Sequence, residues 1–324
     1  MPSVAYDPQR SRVRISPTLE AGARLALGYL RNQYGLRERR PLGPFLARNI
    51  DFLRMAGRLP TVEAEMDGLR VLVSTSDRTI ARSVYASGDW DPQLVGVVFD
   101  ALRAFGWHWH GSTFLEIGAN FGVYSLPAVA SYGFARAVAY EPDPASFALL
   151  TENIARNDLG ERVSAHHAAL SAAPGELTLQ LGTFNAGDNR IVVPGTAASP
   201  SGATVRVPAR TLDGEMAGGA VRVDDLGLVW LDVQGHEADV LDGATALLRA
   251  GVPLVVEFAT AMMSRPDRAR LEEHLAESYA VMVDLGWCAL TGRLRFQPAS
   301  AVRKLAADGR AVETDLLMLP AYPG

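Results

Sequence analysis

The sequence predicts an α/β fold, a mostly parallel sheet covered by helices on both faces. Three observations predict it. An apolar stretch rich in β-branched and aromatic residues, Thr113 to Ile117, runs into Gly118-Ala-Asn120-Phe121-Gly122 and then a helical pattern of Val123, Leu126, Pro127, Val129 and Ala130. A second strand, Ala135 to Tyr140, ends in Glu141, twenty-five residues after Glu116. Strand, glycine turn, helix, strand and acid make the first half of a nucleotide-binding unit. Strands and helical stretches then keep alternating towards the carboxyl end.

The elements follow in order. Residues 1 to about 60 read as a polar lead-in and short helices. Leu19, Ala23, Ala26, Leu27 and Leu30 recur at helical spacing, and Leu46, Ile50 and Leu53 form a second stripe. Thr61 to Met66 and Leu69 to Ser74, joined by Asp67-Gly68, read as a β-hairpin. A helix from Asp91-Pro92 to Phe105 completes a prefix expected to lie over the substrate side of the core.

After the first two core strands come a helix from Pro144 to Asn157 and a third strand, Val163 to Ala168. Glu176 to Leu181 and Ala203 to Val207 read as a hairpin-like insertion. Its polar connection holds Asn185, Asp188, Asn189, Gly195, Pro200 and Gly202, and long loops of this kind are often functional. Gly227 to Asp232 is the fourth core strand, followed by a helix from His236 to Arg249. Pro253 to Phe258 is the fifth, followed by a helix from Asp267 to Glu277; Tyr279 to Asp284 and Asp315 to Leu319 close the sheet. The expected organisation is a helical and hairpin extension over 1–76 and a nucleotide-binding domain over 77–324, with a β insertion at 175–210.

Composition narrows the chemistry. The hydrophobic fraction of 48% and charged fraction of 21% are those of an ordinary globular protein rather than a disordered one. A net charge of −5 argues against a nucleic-acid partner, although Arg37, Arg39, Arg40, Arg48 and Arg54 are locally basic. Cys288 is the sole cysteine, which excludes an internal disulfide and a thiolate metal cluster; its apolar neighbours make it a core filler. Lys304 is the sole lysine, so no Gly-Lys-Ser/Thr phosphate loop exists. Apolar runs are too short or too interrupted to span a bilayer, and the arginines near the N-terminus have no apolar segment behind them. No membrane span and cytoplasmic residence are expected.

The turn itself decides between nucleotides. Gly-x-Asn-x-Gly lacks the middle glycine of a dinucleotide turn, and the Asn120 amide would crowd a pyrophosphate. A carboxylate at Glu116 would repel that pyrophosphate but attract an ammonium or sulfonium. At ~4 Å and an effective dielectric near 20, each effect amounts to roughly 4 kcal/mol. S-adenosylmethionine therefore suits this turn better than NAD. Glu141 is expected to take the ribose hydroxyls, and Asp143 either orients the adenosine edge or caps the helix that Pro144 begins.

Val229-Trp-Leu-Asp232-Val-Gln234-Gly235-His236-Glu237 carries the catalytic candidates. Its strand delivers Asp232 to the same sheet edge as Glu116, and His236 and Glu237 fall in the next helical turn. Methylating a hydroxyl needs a group to take its proton, and Asp232, His236 and Glu237 are of the right type. The alternative is a divalent ion held by Asp232 and Glu237, lowering the hydroxyl pKa directly. Glu257, closing the fifth strand, and Asn185, Asp188 and Asn189 on the insertion are candidates to contact a polar substrate.

Phe-Leu-Glu-Ile-Gly-Ala-Asn-Phe-Gly and Leu-Asp-Val-Gln-Gly-His-Glu-Ala-Asp-Val-Leu-Asp-Gly-Ala together resemble the FkbM family of S-adenosylmethionine-dependent methyltransferases. Tyr-Glu-Pro-Asp-Pro, Glu-Asn-Ile-Ala-Arg-Asn and Ala-Ala-Leu-Ser, which includes Ala169, are also similar to it, and the likeness covers roughly residues 78 to 260. The resemblance implies a Rossmann-like class I fold with a seven-stranded sheet. It implies a cofactor set of Glu116, Gly118, Asn120, Phe121, Gly122, Glu141, Asp143 and Ala169, and O-methylation of a sugar, glycolipid or natural-product hydroxyl. The family usually has an acid where Gln234 stands and a small or aromatic residue where His236 stands. The histidine strengthens the base candidate; the missing acid weakens the metal alternative. An NAD-linked oxidoreductase and a catalytically silent binding subunit are the competing readings, and homo-oligomer formation is left open.

Overall fold

A computed structural model describes residues 42–182, 185–192, 202–307 and 309–321. The expected stripe from Leu19 to Leu30, the arginines at 37, 39 and 40, and Gly195 and Pro200 lie outside the described residues. The strands are β1 (Thr61–Met66), β2 (Leu69–Ser74), β3 (Thr113–Ile117), β4 (Arg136–Tyr140), β5 (Val163–His166), β6 (Ala169–Leu170) and β7 (Gly175–Gln180). They continue with β8 (Arg190–Ile191), β9 (Thr204–Arg210), β10 (Leu226–Leu231), β11 (Leu254–Ala259), β12 (Val281–Asp284), β13 (Phe296–Pro298) and β14 (Glu313–Leu319).

The central sheet has the order β13-β12-β14-β11-β10-β3-β4-β5. β11, β10, β3, β4 and β5 run parallel, whereas β14 pairs antiparallel with both β11 and β12. Every residue of β10 is buried, as a strand covered on both faces requires. The sheet has eight strands rather than seven; the extra one is β13, three residues pairing at the edge with β12. Strand order reverses between β3 and β10. Such a switch opens a crevice at the carboxyl ends of the strands, where α/β sheets bind ligands.

The β1–β2 hairpin turns at Asp67 and Gly68, both with positive φ. Asn153, in the helix Pro144–Arg156, clips the hairpin to the core by accepting from Leu72 N at 2.6 Å and donating to Leu72 O at 3.0 Å. A separate four-stranded sheet has the order β6-β9-β7-β8, with β7 and β9 antiparallel; its β6 lies before the 175–210 segment read as an insertion. The expected helix from His236 to Arg249 is two short helices, Glu237–Asp242 and Thr245–Ala250. They break at Gly243, where a Cβ would lie 2.2 Å from the Ser171 carbonyl oxygen, so the chain bends at this close approach.

The helix Leu42–Met55 exists, but its Leu46–Ile50–Leu53 stripe faces outward. Phe52, on another face, is the residue that enters the core, packing 5.5 Å from the Tyr85 ring. Among the described residues no helix is long and apolar enough to cross a membrane.

Candidate active site

The switch point is built by backbone contact. Gly118 N–H and Ala119 N–H both donate to Tyr140 O at 3.0 Å, curling the chain over the end of β4. Gly118 has φ +93°, and a Cβ there would lie 1.8 Å from the backbone oxygen of Asp232, so the ends of β3 and β10 meet as closely as glycine allows. Gly122 is also at positive φ, but what crowds it is the Leu126 side chain, 2.7 Å from an added Cβ, not open space. The first glycine serves the crevice; the second serves core packing.

An inner chamber of about 810 Å³ of atom-free space, its open mouth included, sits over this turn. Glu116, Gly118, Asn120, Glu141, Ala169, Asn189, Asp232 and His236 all border it. Glu116 is 1% exposed; it accepts from Tyr124 N–H at 3.1 Å and from Ser125 N–H at 2.7 Å, one on each oxygen. Glu141 accepts from Asn120 N–H and Asp143 N–H, both at 2.7 Å. Burial pushes each carboxyl up to about 8 despite these amide bonds. Each oxygen keeps a second lone pair, so two buried carboxyls face a chamber in which they can still receive donors or a cation.

A larger outer chamber, about 1670 Å³ on the same footing, shares Ile80, Trp90, Tyr124, Gly187, Asp232 and Gln234 with the inner one. Asp91, Asn185, Asp188, Glu257, Glu313, Thr314 and Asp315 also line it. Among the described residues no lysine, arginine or histidine does. Asp232 thus stands where the two chambers meet. Gln234 Nε2 donates to Asp232 Oδ1 at 2.8 Å and to Glu257 Oε2 at 2.9 Å. Burial, then repulsion from Asp232, pushes Glu257 up to about 11, so it keeps its proton at neutral pH. Burial also raises Asp232, but hydrogen bonds from Gln234 and Glu257 oppose that rise.

Other expected site residues lie elsewhere. Glu237 is fully buried and borders neither chamber; its Oε1 accepts from Val233 N–H at 3.2 Å and Gly235 N–H at 3.1 Å, bracing the turn. Asp143 caps the helix Pro144–Arg156, accepting from Ala145 and Ser146, and it too is outside the inner chamber. Phe121 and Gly122 belong to the core rather than to the chamber wall. The metal alternative finds no support: among the described residues no three His, Cys, Asp or Glu side chains group to hold an ion.

His236 borders only the inner chamber, and its nitrogens are engaged. Nε2 lies 3.0 Å from Ser171 Oγ and Nδ1 lies 3.5 Å from Asp239 Oδ2. Burial lowers its pKa, which keeps the ring neutral. The insertion does reach the site: Asn185 and Asp188 line the outer chamber and Asn189 the inner one. Sequence reasoning missed Trp90, Tyr124, Asp91, Glu313 and Asp315. Asp315 faces Glu257 only because β14 pairs antiparallel with β11 in that register, which local pattern does not reveal.

The family model of the FkbM methyltransferase domain matches residues 116–278. Methyltransferase sdnD of Sordaria araneosa is 32% identical over 154 residues, 40% of this chain and 59% of that relative's own length. Similar solved structures include methyltransferase FkbM from Methylobacillus flagellatus, at 14% identity and TM-score 0.37 over 64% of this chain and 43% of that one. P. horikoshii TYW2 in complex with MeSAdo matches at 14% identity and TM-score 0.38, over 81% of this chain and 72% of that one.

Proposed function

The chain belongs to the FkbM methyltransferase family, and from that premise we propose that it methylates a hydroxyl of a neutral, polyhydroxylated acceptor, a sugar, glycolipid or natural product, using S-adenosylmethionine. The inner chamber suits that cofactor. Glu141 would take hydroxyl donors and Glu116 the ammonium end, through oxygens already fixed by backbone amides. Buried carboxyls that gain a cationic partner return to their ionised form, which strengthens the attraction. The family match also sets aside the NAD-linked reading.

The cofactor, when bound, supplies a methyl group on a positively charged sulfur. What remains for the protein is to hold an acceptor oxygen in line and remove its proton. Asp232 and Tyr124 are the two ionisable side chains that border both chambers. Burial raises the Tyr124 phenol well above its ordinary range, so it stays protonated and supplies no basic oxygen. Asp232 would therefore be the base, accepting the hydroxyl proton as that oxygen displaced the sulfur from the methyl carbon. Glu257 and Gln234 hold it in place and stabilise its charge. Carboxyls and amides around the outer chamber can exchange hydrogen bonds with hydroxyls, and its described lining has no basic side chain to pair with a phosphorylated or carboxylated acceptor.

The position of Asp232 carries this reading. Its test is transfer of labelled methyl to a panel of methyl glycosides, neutral, phosphorylated and uronic, by the wild type and Asp232→Asn. Transfer confined to neutral members, and lost in the variant, is expected. Transfer only to acidic members would contradict the acceptor assignment. Tight cofactor binding without transfer to any member of the panel would favour a silent binding subunit.

A further inference from the structure

We propose that Arg270, which borders neither chamber, is a positioning residue for the cofactor site: it holds the Asp239 carboxylate at the edge of the His236 ring and so keeps that ring uncharged in the chamber wall. A cationic cofactor in the inner chamber is the premise, as above; the network that includes Arg270 does not depend on it.

One guanidinium grips three carboxylates. Arg270, on the helix Arg265–Ser278, donates from Nη2 to Asp267 Oδ1 at 2.7 Å and to Asp239 Oδ2 at 3.3 Å, and from Nη1 to Asp242 Oδ2. Asp242 is held a second time by His274, one helical turn beyond Arg270, whose Nε2 lies 2.6 Å from Oδ1. Asp239 and Asp242 both stand on the helix Glu237–Asp242, directly after His236.

Asp239 faces two ways. The oxygen that Arg270 holds, Oδ2, also lies 3.5 Å from His236 Nδ1. That spacing is long for a hydrogen bond, so Arg270 has first claim on the carboxylate and the imidazole meets it only at its edge. His236 itself is 6% exposed, and its Nε2 lies 3.0 Å from Ser171 Oγ. Residues 168–170, before Ser171, and 233–234, before His236, line the inner chamber, so this contact joins two of its walls.

The charge of the ring matters to what the chamber accepts. Glu116 and Glu141 prepare it for a cation, and an imidazolium in the same wall would repel one. Burial lowers the His236 pKa; Asp239 pulls it back up, Arg270 pushes it down, and Asp267 adds a further upward pull. These are the charged groups that the two neighbouring helices turn to the ring, and Glu116, Glu141 and Asp232 border the same chamber. Without the arginine, Asp239 is free to close on Nδ1 and charge the ring. An imidazolium has no acceptor nitrogen, so Nε2 would then donate to Ser171 and a cation would stand in the wall.

NMR titration of isotope-labelled histidine reads the ring directly in the ligand-free chain, with the six histidines assigned by substitution. His236 should titrate at a higher pH in Arg270→Leu than in the wild type. It should return in the double variant Arg270→Leu, Asp239→Asn, where the released carboxylate is gone, and stay near wild type in Arg270→Lys. Arg270→Gln, which can still bond one carboxylate, repeats the test with less disturbance of helix packing and should shift His236 the same way. Calorimetry below the shifted midpoint should show Arg270→Leu losing about tenfold more affinity for S-adenosylmethionine than for uncharged-sulfur S-adenosylhomocysteine. Comparing the two ligands cancels the titration of Glu116 and Glu141, which both would meet. An unshifted His236 titration overturns the proposal. So does a double variant further from wild type than the single one, or equal loss of the two ligands, since either assigns Arg270 to folding alone. A wild type that binds neither ligand would overturn the cofactor reading, and the imidazole titration would still decide the role of Arg270.

Discussion

Asp232, just past β10, and Glu257, within the neighbouring parallel strand β11, share the amide nitrogen of Gln234, which lies 2.8 Å from one carboxyl and 2.9 Å from the other. An amide nitrogen has two hydrogens, so one side chain can serve both acids without adding charge. Gln234 itself stands at φ +55°, an uncommon conformation for a non-glycine residue. Gln234→Glu keeps the shape but removes both donors and adds a third acid. Hydrogen bonds to charged groups contribute about 1.5–3 kcal/mol, so turnover should fall roughly 10- to 100-fold with cofactor affinity nearly unchanged. Steady-state kinetics beside calorimetric titration checks this.

Asp232 and His236 should separate by phenotype. Asp232→Asn removes the base at the junction and should lower methyl transfer by about 10²–10⁴ while leaving cofactor binding intact. His236→Ala acts on the inner chamber alone and should weaken cofactor binding, with a much smaller change in turnover once the cofactor is saturating. The reverse pattern in the two binding and kinetic assays would make the histidine the base.

Cofactor binding should strengthen with pH up to about 8. Glu116 and Glu141 each titrate near that value in the ligand-free chain, and a cation or hydroxyl donor favours their ionised forms. Each carboxyl that must lose its proton steepens the rise by up to about tenfold per pH unit, and the curve flattens above pH 8. Glu116→Gln should remove one proton from the slope. Calorimetry in buffers of different ionisation enthalpy would count the protons released.

The ligand-free protein should lose stability as pH rises from 4.5 towards 8. Glu116, Glu141, Glu237 and Glu257 have folded values of about 8, 8, 7 and 11, all above the 4.5 of an unperturbed glutamate. In that window the folded chain holds protons that the unfolded chain has released, so alkali favours unfolding. Melting curves at pH 5.5 and 8.5 should show the lower midpoint at the higher pH.

The parallel core was legible because its strands are apolar throughout and end in acids. Glu116, Glu141 and Asp232 could be placed at one edge from that alone. The backbone amides that Glu237 and Asp143 accept from were not legible, because an acid beside a turn or a proline serves backbone amides as readily as substrate. The stripe at Leu46, Ile50 and Leu53 was legible as helix but not as outward-facing, since periodicity fixes a face and not its partner. Asp315 and Tyr124 depend on strand register and on the path of the glycine turn, which are properties of the assembled sheet.

The most direct test of the account is a crystal structure with S-adenosylhomocysteine. Its ribose is expected against Glu141, its amino group beside Glu116, and its sulfur facing Asp232 at the opening between the chambers. A sulfur turned away from Asp232, or a ligand lodged outside the inner chamber, would contradict it.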